Sequence, residues 1–293
     1  MPTNPKFIAK IESEEPTLKL AVLIDADNAQ ASKIESLLKE IATIGEATVK
    51  RIYGDFTVSN SNPWKKTLQK YAIKPIQQFA YTTGKNATDS TLIIDAMDLL
   101  YTRRFDGFCL ISSDSDFTGL ALRIREEGLL VFGFGEQKTP EAFRNACHKF
   151  IFTEVFDLTA PNAELPPPSL SVGTLTPGAA QPDSTVGRKA PAQQTPPTGH
   201  TETSIPAPIR MSDYDIHTFM LDALTAMPGD DGGWINLGTV NSYLTKLKPD
   251  FDPRLYGYKK LRDFLRAMPT TIEMEERVTD GTSAKAVYVR RRG

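Results

Sequence analysis

At 293 residues, with 40% apolar side chains, the chain is long enough to build two domains with real cores. Its 34 Lys and Arg against 36 Asp and Glu leave a net charge of −2, which excludes a uniformly basic nucleic-acid coat but not local basic patches. No apolar run approaches the roughly 18 residues of a membrane span, and the opening MPTNPKFIAKIESEEPTLKL lacks the apolar centre of a secretory signal, so a cytoplasmic protein is expected. Cys109 and Cys147 fit reduced, buried thiols better than a disulfide framework or a zinc site.

In chain order, 19–24 reads as a strand, and 31–44 has helical period with Ile34, Leu37, Leu38 and Ile41 on one face. A strand at 47–53 follows. Asn62-Pro63 is an N-cap with proline at the first helical position, opening a helix to about 71, and 74–79 is strand again. Thr88 or Asp89 is expected to cap a long helix to 101. After it come strand 107–112, helix 116–127, strand 129–134, helix 140–147 and a last strand at 150–152. Repeated βα units of this length predict an α/β domain with a parallel sheet and flanking helices.

Between 160 and 210 the composition turns to Pro, Ser, Thr, Ala and Gln, with eleven of the 21 prolines, which reads as a disordered linker. It divides the chain into domains at 17–159 and 211–292. The second domain opens with a helix at 213–226 and the break MPGDDGG. Extended residues 234–237, a helix at 239–247, a loop with two prolines and a third helix at 255–268 come next. Strands 272–278 and 286–291, joined across Asp280-Gly281, complete the pattern of a small winged helix-turn-helix.

Three aspartate clusters follow strand-like runs or open a helix: LIDADN (23–28), NATDS (86–90) and LISSDSDF (110–117). In an open parallel sheet the strand carboxyl ends line the crevice where ligands sit, so Asp25, Asp27, Asp114 and Asp116 are expected to converge. Carboxylates about 4 Å apart repel by roughly 4 kcal/mol per pair at an effective dielectric near 20, which calls for a counter-cation or shared protons. Oxygen-only ligands favour Mg²⁺ or Mn²⁺. Capping of the following helix explains one acid after a strand, and an Asx turn explains one in SSDSDF; neither explains the whole set. Lys85, four residues before Asp89, is a candidate phosphate contact, although TTGKN lacks the phosphate-loop pattern. Ser112, Ser113 and Ser115 are candidates to orient the acids or touch phosphate. His148, His200 and His217 are too scattered for a metal cluster.

At these motifs the chain resembles bacterial NYN-domain proteins of the LabA-like group, which have the PIN-type nuclease fold. The resemblance runs from VLIDADNA through GKNATDSTLIIDAMDLL and GFCLISSDSDFTGLALRIREEG to VFGFGEQKTPEAFRNACHKFI. It implies a PIN-like, metal-dependent ribonuclease whose acids fall on Asp25, Asp89, Asp114 and Asp116, with Asn28 completing the first signature. Asp95 also matches an acidic position, but six residues on a helix rotate it about 240° from Asp89. It and Asp27 are the weaker candidates for metal ligation.

The stretch GWINLGTVNSYLTKLKPDFDPRLYGYKKLRDFLRAM resembles the LOTUS module, also called OST-HTH, and implies RNA binding. Lys259, Lys260, Arg262 and Arg266 with Tyr256 and Tyr258 form a basic and aromatic stripe there, extended by Arg290, Arg291 and Arg292. Such residues suit sequence-tolerant contacts to RNA phosphates and bases; equally, a charge run on a helix is often a solvated face. Two other readings stand beside the ribonuclease. One is a non-catalytic RNA-binding regulator that uses the acids to bind metal. The other is a HAD-type phosphatase, from which the chain departs at Ala29 and in lacking a spaced G-D-x-x-x-D. The partner expected is RNA, with a homodimer and protein partners left open.

Overall fold

The computed structural model describes residues 17–57, 62–79, 87–158, 213–278 and 285–292. The Pro-rich stretch 160–210, Lys85, His200 and the Asp280-Gly281 connection lie outside them.

The run KLAVLID makes β1 (Lys19–Asp25), whose Leu20 to Ile24 are wholly buried, as a central parallel strand covered on both faces requires. Around it lie β2 (Glu46–Gly54), β3 (Lys74–Gln77), β4 (Gly107–Ile111), β5 (Leu130–Gly135) and β6 (Lys149–Phe152). All pair in parallel, in the order β3-β2-β1-β4-β5-β6. Alternate β1 residues feed two cores. Leu20, Val22 and Ile24 pack with α1 (Ile34–Ile44) and with Trp64 of α2 (Asn62–Tyr71). Ala21 and Leu23 pack with α3 (Ala87–Tyr101), α4 (Thr118–Glu126) and α5 (Glu141–Ala146). The strand order reverses between β1 and β4, and the crevice at a reversal, beyond the strand carboxyl ends, is where open parallel sheets place ligands.

Several boundaries differ from the sequence reading. The helix at 31–44 opens as a 3₁₀ turn, Ala31–Lys33, and α4 is preceded by another, Ser115–Phe117. α3 begins at Ala87, so Asp89 stands in its first turn and is not the residue that caps it. A short α6 (Val155–Leu158) follows β6; four residues are too few to show a period.

In the second domain α7 (Asp213–Ala226), β7 (Ile235–Asn236), α8 (Leu237–Leu247), α9 (Leu261–Arg266), β8 (Ile272–Val278) and β9 (Lys285–Arg291) form a winged helix-turn-helix with a sheet ordered β7-β9-β8. The expected continuous helix at 255–268 is broken. A 3₁₀ turn, Pro253–Tyr256, ends at Gly257, whose φ of 84° is the left-handed conformation that glycine adopts without strain. The chain then runs extended into α9, with Lys260 at φ −138°, ψ 150°. The two domains touch along β6, where the Phe150 N–H donates to the Pro249 carbonyl at 2.9 Å.

Candidate metal centre

Asp25 is the last residue of β1 and is completely buried. One carboxylate oxygen accepts the Asp27 N–H at 3.0 Å; the other accepts from the Asn28 amide and the Ser112 hydroxyl, both at 2.8 Å. Burial raises its pKa and those three hydrogen bonds oppose the rise. Ser112, just past β4 and 2% exposed, also accepts the Asp114 N–H at 3.0 Å. One hydroxyl thus ties the acid of β1 to the acid loop after β4, two segments 87 residues apart that register brings together through Ile24 and Ile111.

Asp114 caps the 3₁₀ turn by accepting the Asp116 N–H at 2.9 Å, which fixes the relation of the two acids. Asp89 approaches from the first turn of α3. Carboxylate oxygens of Asp89, Asp114 and Asp116 all lie within 4.8 Å of one another. Asp89 is pushed up to about 6, first by desolvation and then by the charges of Asp25, Asp114, Asp116 and Asp27. The leading charges acting on it are all acids. Five aspartates from three segments therefore share one end of the β1–β4 crevice. Their hard oxygen donors, with no cation among the leading influences on Asp89, could hold a metal ion.

The structure sorts the remaining candidates. Asp27 is exposed beside the cluster, with its N–H on Asp25. Asn28 orients Asp25. Ser113 is 6% exposed and its oxygen accepts the Glu136 N–H at 2.8 Å, so it braces the loop after β5. That loop passes close: a Cβ added at Gly135 would sit 2.5 Å from the Ser112 carbonyl. Asp95 is turned away from the other acids. Its two oxygens accept hydrogen bonds from Arg51 and from the Tyr53 hydroxyl, both on β2. Sequence reasoning did not single out this pair; Arg51 and Tyr53 stand at i and i+2 on one strand, a spacing that puts both side chains on the same face. His148 accepts the Val131 N–H through Nδ1 and is structural, and both cysteines are buried and unpaired.

The basic and aromatic stripe of the second domain divides. Tyr256 is buried, and the Tyr258 ring packs edge-on against Phe264, so both tyrosines tile the core. Arg262 and Arg266 pair with Glu276 and Asp263 and line an open hollow beside Trp234. Trp234 itself is flanked by the guanidinium groups of Arg290 and Arg277, 4.5 and 5.2 Å from its ring. Lys259 and Lys260 line a separate groove that faces the first domain.

Residues 19–156 match the NYN domain family, and residues 214–284 match the OST-HTH/LOTUS domain family. No curated protein matches the chain. A crystal structure of a Vibrio parahaemolyticus protein of unknown function is 18% identical, with a TM-score of 0.39, over 47% of this chain and 94% of that one. A solution structure of an uncharacterized Nitrosomonas europaea protein is 39% identical, with a TM-score of 0.24, over 38% of this chain and 91% of that one.

Proposed function

This chain joins an NYN domain to an OST-HTH/LOTUS domain, and we propose that it is a metal-dependent ribonuclease with a tethered RNA-binding module. The observation that carries the reading is the convergence of Asp89, Asp114 and Asp116 above the buried Asp25 at the reversal of strand order. The division into a nuclease domain at 17–159, a linker at 160–210 and an RNA-binding domain at 211–292 belongs to the same proposal, as does a cytoplasmic location. Among the described residues no helix is long and apolar enough to cross a membrane.

Asp89, Asp114 and Asp116 would hold Mg²⁺ or Mn²⁺, with Asp25 supporting them from below. The bound ion would supply an acidified water and neutralise charge gathering on the phosphoryl oxygens. The protein's own part is positional. The Asp114 side chain is fixed by the Asp116 N–H, and Ser112 and Asn28 hold Asp25 in one orientation. An acid set prepared in this way need not reorganise as the phosphodiester reacts.

The test is incubation of labelled single-stranded and duplex RNA with the full chain in Mn²⁺, Mg²⁺ or EDTA, beside Asp114→Asn. Cleavage that needs the metal and falls at least about 100-fold in the variant is expected. Binding without cleavage under every metal would overturn hydrolysis and favour the regulator.

A further inference from the structure

The face between the two domains is built around one arginine. Arg254, from the turn before Gly257, donates through both terminal nitrogens to Glu40 of α1, at 2.9 Å each, and through Nε to Asp252 at 3.0 Å. Nearby, Arg144 of α5 pairs with Asp250, which is 4% exposed. With the Phe150–Pro249 hydrogen bond, these contacts hold the second domain against α1, α5 and β6, and a groove of about 590 Å³ lies between the domains.

The charges lining that groove are unequal. Its carboxylates, Glu40 and Asp252, are both engaged by Arg254. Four lysines share the lining: Lys149 at the start of β6, Lys246 near the end of α8, and Lys259 and Lys260 before α9. Among the described residues none of the four is ion-paired, whereas Lys33, Lys39, Lys70, Lys138 and Lys248 are. Four lysines and Arg254 against two carboxylates leave the groove's lining with an excess of positive charge, and so a positive potential, bordered by the apolar Phe132 and Phe251. Its volume is that of a small-ligand pocket, which admits a few nucleotides of an extended strand and not the girth of a duplex.

We propose that this groove between the domains binds the phosphodiester backbone of single-stranded RNA, with Lys149 of the NYN domain acting together with Lys246, Lys259 and Lys260. Lys149 and Leu130 open their strands, so the groove lies at the opposite end of the sheet from Asp25 and Asp114. It is an anchoring site distinct from the acid crevice. The inference rests on the reading of the chain as an RNA enzyme and adds where the strand is held.

The experiment is fluorescence anisotropy of a labelled 12-nucleotide RNA with the full chain in EDTA, where binding is scored without cleavage. Lys149→Glu and Lys246→Glu should each weaken binding about tenfold at low salt and flatten the salt dependence by about 0.7 in log–log slope for each phosphate that the variant no longer neutralises. Lys66→Glu, on α2 and outside the groove, should stay within about twofold. Lys149→Gln, with its melting temperature checked, guards against a folding defect in the glutamate variant. Wild-type affinity in both Lys149 variants, or an equal weakening in Lys66→Glu, overturns the shared groove. So does the absence of RNA binding by the wild type, even if Mn²⁺-dependent cleavage is present; absence of cleavage with intact groove binding would instead overturn hydrolysis alone.

Discussion

Asp89 concentrates the electrostatics of the crevice. Its pKa of about 6 in the folded chain exceeds the 3.8 of an unperturbed aspartate, so folding favours its protonated form. That contribution to stability is complete below the unfolded value and is lost as pH rises through about 6. In EDTA at pH 8 the domain therefore carries a repulsive carboxylate, and Asp89→Asn should raise the melting temperature. After allowance for solvent screening the gain is on the order of 1 kcal/mol, or about 2–4 °C, and it should shrink toward pH 4. The same proton competes with a cation, so calorimetric titration should show Mn²⁺ affinity falling as pH drops through about 6. Unchanged melting at pH 8 together with pH-independent Mn²⁺ binding would remove Asp89 from the centre. The positions of Asp25, Asp114 and Asp116 were legible because each follows an apolar run that ends a strand, and that of Asp89 because it opens a helical period. Ser112 was not distinguishable from Ser113 and Ser115. What separates them is register, which puts the Ser112 hydroxyl on Asp25 and directs Ser113 to Glu136.

At the scale of elements, α3 presents Asp89 to the crevice and Asp95 to β2. The 240° rotation read from spacing is realised as two separate jobs. Asp95 joins Arg51 and Tyr53, and both members of the ion pair are about one-fifth exposed. Removing the carboxylate would leave a half-buried guanidinium and phenol without it, a destabilisation of about 2 kcal/mol. Asp95→Ala should thus lower the urea midpoint while Mn²⁺ affinity stays within about twofold; weakened Mn²⁺ binding at unchanged stability would make Asp95 a ligand after all. The central strands were readable as short continuous apolar runs and the long helices from their period. The third helix of the winged domain was not, because the apolar spacing carries on through LYGYKKL although Gly257 breaks the backbone there. Glycine was the signal available, and it was outweighed by periodicity.

At the scale of the whole molecule, nothing in the sequence announced that the domains dock, since Glu40 and Arg254 are 214 residues apart and each looks like ordinary surface charge. Once docked they are less than one-fifth exposed, and a pair so enclosed is costly to break because it strands the surviving charge. A covalent tether holds the domains at about millimolar effective concentration, so an intrinsic docking constant of about 10 µM would keep about 99% of chains closed. Arg254→Glu, which sets three carboxylates against one another, should weaken docking by at least about 3 kcal/mol, or roughly 150-fold, and open more than half the chains. Small-angle scattering should then show a larger radius of gyration, and the thermal transition should split into two. Glu40→Arg combined with Arg254→Glu should recover part of the closure, although Asp252 stays beside the new glutamate. An unchanged scattering profile in Arg254→Glu would mean that the ion pair does not hold the domains together, and the groove bounded by Lys149 and Lys246 would then need another support.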